Sequence, residues 1–357
     1  MISFARGVPA PECLPVDELA DCARAALERD GRTILSYGPS PGYAPLREWI
    51  AARHDVDPSR VFITNGSLQG FVFLAQRLAP AKRVLVEQPT YDRPLKILRE
   101  LGAETVPVAC DDGGLDPDAL SDALSSGEKP AFLYLIPTFQ NPSGRTLDLE
   151  RRRRVVEIAR DHDLLVLEDD PYGLVRFEGE PLPSLFELSG GTTAYSSSFS
   201  KTIAPGLRVG WFVLPESIER ELEATATATY ITPVLLGQAT VFEFVDRGRF
   251  ESNLERVRSL IGARRDAMVE AFDRELPDVR ITRPDGGYFL WAELDGVDAG
   301  ALLRGAEEAG VTFVKGTDFG GAADSLRLAY SFVSLDEIGE GVATLASVLA
   351  GTTAASV

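Results

Sequence analysis

A lysine in a hydroxyl-rich loop is the residue of this sequence best suited to covalent chemistry. Lys201 follows the run Thr193–Ser200, which is predicted to be a strand and its end, and it precedes a Pro-Gly pair that breaks the chain before a second strand. A lysine becomes a nucleophile when burial or a neighbouring cation lowers its pKa. Ser198 and Arg208 lie close by in sequence and can hold a phosphate dianion. Amine, hydroxyl and fixed cation together suit a phosphorylated aldehyde, with which the amine can form a Schiff base.

Other polar and aromatic side chains also follow predicted strands. Residues 65–69 (Asn-Gly-Ser-Leu-Gln) open a helix, where backbone N–H groups can bind an anion or simply cap the helix. Tyr91 can stack on a flat ring or pack in the core. Asn141 precedes a proline, and its amide can point into a crevice or serve a turn. The acidic run 168–170 ends an otherwise apolar strand and needs a cation or a proton there.

The elements that must position these side chains alternate along the chain. From residue 45 to about 215, strand and helix patterns follow one another, which predicts a largely parallel sheet covered by helices. Ligands of such sheets bind at the carboxyl ends of the strands. Beyond residue 215, two helical stretches, 216–229 and about 233–275, precede shorter strands and helices. This tail predicts a smaller α+β domain that also includes the N-terminal helix.

Composition excludes several classes of partner. The 357 residues are 45% hydrophobic and 25% charged, which fits a soluble globular protein with a large core. Acidic residues outnumber basic ones by 54 to 36, and the resulting net charge of −18 disfavours binding to nucleic acid and to anionic membranes. Such a surface also suits a cytoplasm very rich in salt, where screening removes the self-repulsion of the surface charges.

Cysteines and histidines give no sign of a disulfide framework or a metal site. Cys13, Cys22 and Cys110 have no CxxC or His-spaced pattern, so we expect a reducing compartment and no metal. His54 and His162 lie in polar helical contexts, which favours surface positions. No segment approaches the ~20 apolar residues of a membrane span, and the sequence starts without a targeting pattern. We therefore expect a cytoplasmic protein whose small-residue C-terminus frays.

Several motifs occur along the chain in a fixed order. They are Asn141-Pro-x-Gly, Asp169-x-x-Tyr172, Ser198-x-x-Lys201, Arg208 and Leu326-Arg327. This set resembles the class I/II pyridoxal-phosphate aminotransferases of fold type I, and the resemblance covers nearly the whole chain. Segments such as Gly42-Tyr-Ala-Pro-Leu-Arg and Leu133-Tyr-Leu-Ile-Pro are most similar to the branch that contains the 2-aminoadipate (kynurenine) aminotransferases.

The resemblance implies an architecture and a cofactor. The fold would be α/β, with a large domain built on a mostly parallel seven-stranded sheet between helices and a smaller α+β domain made from the N- and C-terminal segments. The implied boundaries are 1–44 for the N-terminal arm and part of the small domain, 45–262 for the large cofactor-binding domain, and 263–357 for the C-terminal small domain. The cofactor would be pyridoxal 5′-phosphate, bound in a homodimer with shared active sites.

The resemblance also assigns roles around the cofactor ring. Lys201 would bond to the cofactor and later carry the proton between the substrate Cα and the cofactor C4′. Asp169 would keep the pyridine nitrogen protonated. Tyr172 and Asn141 would hydrogen-bond the phenolic oxygen of the ring, and Tyr91 would stack on the ring.

Phosphate and substrate contacts complete the implied site. The residues expected at the phosphate are Ser67, Leu68, Gln69, Ser198, Arg208 and, reaching across from the neighbouring subunit, Tyr37. Leu68 stands where closer relatives often have a polar residue, so its backbone N–H matters more than its side chain. Arg327 would grip the substrate α-carboxylate beside Asn141 and Gly7. Arg6 stands where a small residue is expected and is either a binder of a side-chain carboxylate or a surface arginine.

The implied function is transfer of an amino group between an L-amino acid and a 2-oxo acid. The donor would be 2-aminoadipate or an aromatic, branched or acidic amino acid, and 2-oxoglutarate is the expected acceptor. A pyridoxal-phosphate β-lyase or decarboxylase on the same fold stays open as an alternative. A transcription regulator would need a DNA-binding winged helix, for which the sequence before Tyr37 offers no room. A Rossmann dehydrogenase would need a Gly-x-Gly-x-x-Gly after the first strand, and this sequence lacks one.

Overall fold

The computed structural model describes residues 1–354 and contains one large sheet, one small sheet and a short parallel strand pair. The last residues of the C-terminus that is expected to fray, 355–357, lie outside the described part. The helices are α1 (Val16–Ile34), α2 (Ala44–His54), α3 (Ser67–Leu78), α4 (Asp92–Glu100), α5 (Pro117–Ser125), α6 (Leu149–Asp161), α7 (Leu185–Leu188), α8 (Glu216–Tyr230), α9 (Leu235–Asp246), α10 (Arg249–Glu275), α11 (Ala299–Glu308) and α12 (Leu335–Ala354).

The strands follow the same chain order. They are β1 (Ile2–Ser3), β2 (Val61–Thr64), β3 (Arg83–Gln88), β4 (Glu104–Asp111), β5 (Gly114–Leu115), β6 (Leu133–Leu135), β7 (Val166–Asp169), β8 (Ala194–Ser198), β9 (Gly210–Val213), β10 (Arg280–Ile281), β11 (Phe289–Glu293), β12 (Val311–Thr312), β13 (Val314–Lys315) and β14 (Ser325–Ala329).

The large sheet has eight strands in the order β2-β9-β8-β7-β6-β3-β4-β5. Its central pairs, from β8 to β4, are parallel, while β2, β9 and β5 pair antiparallel with their neighbours. The predicted α/β fold is confirmed, and the seven expected strands are joined by the two-residue edge strand β5. Leu133 and Leu135 of β6 pack in one hydrophobic cluster and Tyr134 in another, because alternate side chains of a doubly covered sheet point to opposite faces.

The small sheet is antiparallel, in the order β10-β11-β14-β13. Helices α11 and α12 contribute to the core beside it, and so do Phe4 and Cys13 from the N-terminus. Strand β1 pairs in parallel with β12. The first residues of the chain thus belong structurally with the C-terminal segment. The domain boundaries after residues 44 and 262 stay a prediction.

Two helical expectations differ from the structure. Helix α1 packs against α9 and buries Cys22 and Ala26 in a core beside the large sheet, so the expected packing of this helix with the C-terminal tail is not observed. The stretch 233–275 is two helices and not one, because Gly248 takes a left-handed conformation (φ 70°) between α9 and α10. Helix α10 then joins two of the hydrophobic cores, with Leu254 in the core beside α1 and Met268 in the core beside the small sheet.

The histidine environments also differ from expectation. His162 is exposed, as the sequence predicts, but His54 is half-buried at the end of α2. Its ring lies 4.8 Å from the Tyr195 ring and 6.1 Å from that of Phe186, and burial lowers its pKa to about 4. Because the sequence neighbours of His54 are polar, the sequence did not show that its face of α2 packs against Tyr195 of the large sheet. Across residues 1–354, no helix is long and apolar enough to cross a membrane.

Candidate active site

A cavity of about 270 Å³ lies at the carboxyl ends of the parallel strands. It is lined by nine of the residues singled out from the sequence: Ser67, Leu68, Tyr91, Asn141, Asp169, Tyr172, Ser198, Lys201 and Arg208. Strands β7 and β8 end at Asp169 and Ser198, and Asn141 follows β6. The parallel order of β6, β7 and β8 therefore brings side chains that are far apart in sequence to one edge.

Lys201 reaches into this cavity with a single hydrogen-bond partner. Its Nζ donates to the Gly7 carbonyl at 2.8 Å and lies 5.6 Å from the Tyr172 ring centroid and 5.2 Å from that of Tyr288. Burial, and then the charge of Arg327, lowers the pKa of the ammonium to about 8. No carboxylate forms an ion pair with it in the described part of the chain, so the amine is available to a ligand.

Asp169 is the acid that shares the cavity with Lys201. One carboxylate oxygen, Oδ2, accepts a hydrogen bond from the Tyr134 hydroxyl at 2.7 Å. The other, Oδ1, is buried without a partner at hydrogen-bond distance, and the neighbouring Ser196 hydroxyl helps to lower the pKa of the acid. Burial raises the pKa of Asp169 to about 6. Because a buried carboxylate oxygen without a donor is costly, this geometry favours a ligand that brings an N–H group to that oxygen.

The start of α3 and Arg208 form a cationic cradle. Gly66 has φ 89° directly before the helix, and a Cβ there would lie 2.1 Å from an Arg208 nitrogen, so only glycine permits this close approach. The Arg208 guanidinium donates to the carbonyls of Asn65 and Pro205, both at 3.2 Å, and forms no ion pair within residues 1–354. Ser198 and Ser200 contact each other at 2.7 Å on the same wall. Helix N–H groups and an unpaired guanidinium suit a phosphate.

Arg327 lies at the substrate end of the site on strand β14. Its side chain is 7% exposed and packs between the rings of Phe289 and Phe319, at 4.3 and 4.8 Å. It donates to Asn141 Oδ1 at 2.9 Å and to the Ala5 carbonyl at 2.8 Å, while its Nε is buried without a partner. Burial lowers the pKa of the guanidinium to about 10. A buried arginine without an acidic partner in residues 1–354 is suited to an incoming carboxylate.

Five of the candidate residues are not among those that line the cavity: Arg327, which adjoins it through its hydrogen bond to Asn141, and four others. The Gln69 side chain accepts from the Asn65 N–H at 2.9 Å, within its own turn. Tyr37 is 81% exposed. Gly7 takes part through its carbonyl, and a Cβ there would meet the Phe289 ring at 2.5 Å. Arg6 is exposed, with its guanidinium 4.2 Å from the Phe332 ring centroid. The roles assigned to these residues stay predictions.

Sequence reasoning missed three polar residues of the cavity, Tyr134, Ser196 and Ser200. Tyr134 was detectable in principle, because a tyrosine within a buried apolar strand needs a hydrogen-bond partner for its hydroxyl. Ser196 belongs to the hydroxyl-rich run before Lys201, but only the observed register with Asp169 shows which of its serines face the acid. Together, the unpaired acid, the enclosed amine and the cationic cradle fit a flat ring that carries a ring nitrogen, an aldehyde and a phosphate.

Comparisons with known proteins point to the same chemistry. The family model described as "Aminotransferase class I and II" matches residues 12–345. The chain is 41% identical to the 2-aminoadipate transaminase of Thermus thermophilus, over 98% of this chain and 90% of that protein. It is 34% identical to aromatic-amino-acid aminotransferase 1 of Thermococcus litoralis, over 98% and 88%. The crystal structure of LysN, the alpha-aminoadipate aminotransferase of Thermus thermophilus complexed with N-(5′-phosphopyridoxyl)-L-leucine, aligns with a TM-score of 0.94 at 39% identity, covering 99% of this chain and 93% of that one.

Proposed function

Because the chain belongs to the class I and II aminotransferases and is a pyridoxal-phosphate-dependent enzyme, we propose that it transfers the amino group of an acidic or aromatic L-amino acid to 2-oxoglutarate. The observation that carries this proposal is the pairing, in one cavity, of the Lys201 amine with the unpartnered oxygen of Asp169. Arg327 completes the arrangement with a guanidinium that has no acidic partner among the described residues.

Different residues of the cavity would bind different parts of the cofactor. Arg208, Ser198 and the first N–H groups of α3 would hold the phosphate, while Tyr172 and Asn141 would contact the phenolic oxygen. Asp169 Oδ1 would accept from the protonated ring nitrogen, and the Tyr134 hydroxyl keeps the other carboxylate oxygen in place. Pyridoxal phosphate, when bound, supplies an electron-withdrawing ring that stabilises negative charge at the substrate Cα after its proton leaves.

Lys201 is proposed to move the proton at the substrate Cα. A general base works best when its pKa lies near the operating pH, and the lowered pKa of about 8 brings the lysine close to that condition. The Gly7 carbonyl, 2.8 Å from Nζ, keeps the amine in a defined place.

Arg327 and Asn141 are proposed to orient the substrate. The planar guanidinium can bind the α-carboxylate through two parallel hydrogen bonds, and its bond to Asn141 Oδ1 fixes the plane. Arg6 lies between Ala5 and Gly7, whose carbonyls accept from Arg327 and Lys201. We propose that its exposed cation, which stacks on Phe332, reaches the side chain of a bound substrate and favours donors with an acidic side chain. This supports 2-aminoadipate or glutamate ahead of a purely apolar donor.

A homodimer with shared sites is part of the proposal. Leu35, Tyr37, Ile231 and Val234 are large hydrophobic residues that are 55–81% exposed. The two segments that carry them meet where the Gly38 N–H donates to the Thr232 hydroxyl at 3.3 Å. An apolar patch on a soluble domain favours a protein interface. The Val234 N–H also donates to Asn65 Oδ1, so this surface adjoins the phosphate cradle and Tyr37 can serve a neighbouring subunit. A cytoplasmic location stays a prediction.

The function is tested with a panel of L-amino acids and 2-oxoglutarate, read by the glutamate formed. We expect 2-aminoadipate or an aromatic amino acid to give the highest kcat/KM. Lys201→Ala should lower kcat at least about 10²-fold, the lower limit for a lost general base, and Arg327→Ala should mainly raise the KM for the amino acid. If pyruvate or an amine forms and glutamate does not, the enzyme catalyses β-elimination or decarboxylation and not transamination.

The same panel tests the role of Arg6 by comparing an acidic donor with an apolar one. Arg6→Gln should raise the KM for 2-aminoadipate while leaving the KM for leucine within about twofold, because only the acidic side chain needs a cation. Equal effects on both donors would show that Arg6 does not recognise the acidic side chain of the substrate. Glutamate itself, tested as the donor with 2-oxoadipate, serves as a second acidic substrate.

A further inference from the structure

A second cavity lies behind the active site and shares its supporting strands. It has a volume of about 210 Å³ and is lined by residues that directly neighbour the catalytic ones. Asp170 follows Asp169, and Tyr195 precedes Ser196 on β8, where successive side chains point to opposite faces of the sheet. Phe199 lies two residues before Lys201. The second cavity is therefore separate from the active site, yet it touches the elements that carry Asp169 and Lys201.

A cluster of aromatic rings belongs to the lining of this second cavity. Trp49, Phe199, Trp211 and Phe250 line it, and their ring centroids are separated by 6.1 Å (Trp49 to Phe199), 5.8 Å (Trp49 to Phe250) and 4.6 Å (Phe199 to Trp211). Trp211 is only 5% exposed, and its indole N–H is buried without an acceptor. A buried indole donor normally has a partner, so this wall lacks one acceptor that a ligand can supply.

The lining also contains an arginine, Arg176, that forms no ion pair within residues 1–354, although the charges of Asp285 and Asp170 act on it. The Arg176 guanidinium lies 4.6 Å from the Phe139 ring centroid and donates to the Glu178 carbonyl at 3.2 Å. Its Nε is buried without an acceptor, and it forms no ion pair in the part of the chain that the structure describes. Asp170, by contrast, is satisfied within the fold, because it accepts from the Gly173 N–H at 2.7 Å and from the Tyr195 hydroxyl at 3.0 Å.

The other charged groups around the second cavity are already engaged. Arg53 pairs with Glu251 at 3.2 Å. The Arg152 guanidinium donates to three backbone carbonyls and to the Thr138 hydroxyl. Glu187 accepts from Ser184 in the capping box of α7. Among the described residues that line this cavity, the buried donors left without an acceptor are Arg176 Nε and Trp211 Nε1. His54 also lines it, and because burial lowers its pKa to about 4, its imidazole is neutral at neutral pH.

We propose that this second cavity binds a small aromatic carboxylate, with the carboxylate against Arg176 and the ring among Trp49, Phe199 and Trp211. The volume of about 210 Å³ is below the ~300–1,000 Å³ typical of drug-sized ligands, so the ligand is a single ring with a short acidic arm. An occupant contacts residues next to Asp169 and two positions before Lys201. Its binding therefore alters kcat without competing with the amino-acid substrate.

Phenylacetate and two isosteres test the proposed ligand class on the cofactor-loaded enzyme. Calorimetry should show phenylacetate binding at least about tenfold more tightly than neutral 2-phenylacetamide, because a hydrogen bond to a charged group is stronger than a neutral one. Phenethylamine, which carries a cation, should bind more weakly still. Inhibition or activation by phenylacetate should be noncompetitive with the amino acid. Tighter binding of phenethylamine, competitive kinetics, or no binding of any probe would overturn the proposal.

Matched variants separate the second cavity from the active site. Arg176→Gln should weaken phenylacetate binding at least about tenfold, whereas Arg327→Ala, which disables the carboxylate site of the substrate, should leave it unchanged. The chain has three tryptophans, and Trp49 and Trp211 line this cavity while Trp291 does not. Trp211→Phe should thus reduce the fluorescence change on binding, and Trp291→Phe should preserve it. Melting curves confirm that each variant is folded, and equal affinity in folded Arg176→Gln would overturn the proposal.

Discussion

At the level of single residues, the active site holds charges that the fold encloses without an acidic or basic partner. Arg327 and Lys201 form no ion pair in residues 1–354, and Asp169 keeps one oxygen without a donor. Burying such groups costs free energy unless another group completes them. The cofactor and the substrate carboxylate supply what is missing, so the arrangement is unfavourable in the empty chain and complementary to its ligands.

The lowered pKa of Lys201 predicts how the cofactor-free protein captures pyridoxal phosphate. Only the neutral amine attacks the aldehyde, so the capture rate should rise about tenfold per pH unit below pH 8 and level off above it. A lysine with its ordinary pKa would keep the rate rising toward pH 10. Arg327→Met should move the break to higher pH, because the Arg327 charge contributes to the shift. The measurement is the stopped-flow appearance of the cofactor absorption band, and a rate still climbing between pH 9 and 10 would contradict the assignment.

The hydrogen bond from Tyr134 to Asp169 predicts a second effect of single residues, on kcat. Its hydroxyl donates to Asp169 and lowers the pKa of that acid, which burial raises. Tyr134→Phe should therefore raise the pKa of Asp169 further and reduce kcat about tenfold at neutral pH, with partial recovery as the pH rises. Tyr195→Phe is the matched control, because it removes the same kind of bond from Asp170, which does not line the active site. A similar loss in both variants would mean that Tyr134 acts only through stability.

At the level of elements, the parallel strands decide which side chains meet. Apolar runs such as β6 and β7 were predictable because strands buried on both faces are continuously hydrophobic. From their order the sequence correctly predicted that Asn141, Asp169 and Lys201 share an edge. Register was not predictable, since the pairing of Asp169 with Ser196 depends on tertiary packing. For the same reason the sequence could not show that α1 packs on α9, or that one face of α2 buries His54.

The close approach of β9 to the start of α3 predicts an element-scale effect. A Cβ on Gly210 would lie 2.2 Å from the Ser67 backbone nitrogen, so Gly210→Ala must push the helix start away from the sheet. We expect a loss of about 1–3 kcal/mol in unfolding free energy and weaker binding of the cofactor phosphate. Gly206→Ala is the control, because Gly206 lies in the turn just before β9 and a Cβ there meets nothing within 4 Å. Titration of the cofactor-free variants with pyridoxal phosphate measures the affinity, and equal affinities would place the phosphate elsewhere.

At the level of the whole molecule, one long helix joins two of the hydrophobic cores under a strongly acidic surface. Helix α10 contributes Leu254 to the core beside the large sheet and Met268 to the core beside the small sheet. The net charge of −18 lowers the stability of the folded chain, because repulsion among surface acids opposes the compact state.

This charge predicts that stability depends on salt. The screening length falls from ~10 Å at 0.1 M to ~3 Å at 1 M salt, so the melting temperature should rise by at least about 5 °C between 0.1 and 2 M KCl. Glu104, Glu255 and Glu270 are exposed and form no ion pairs within residues 1–354. Changing all three to Gln takes the net charge from −18 to −15 and should raise the melting temperature at low salt while flattening the salt dependence. These changes are on the surface and leave the hydrophobic cores intact. If the variant shows the same dependence of melting temperature on salt, or if the wild-type protein is equally stable in dilute buffer, the acidic surface is not an adaptation to salt.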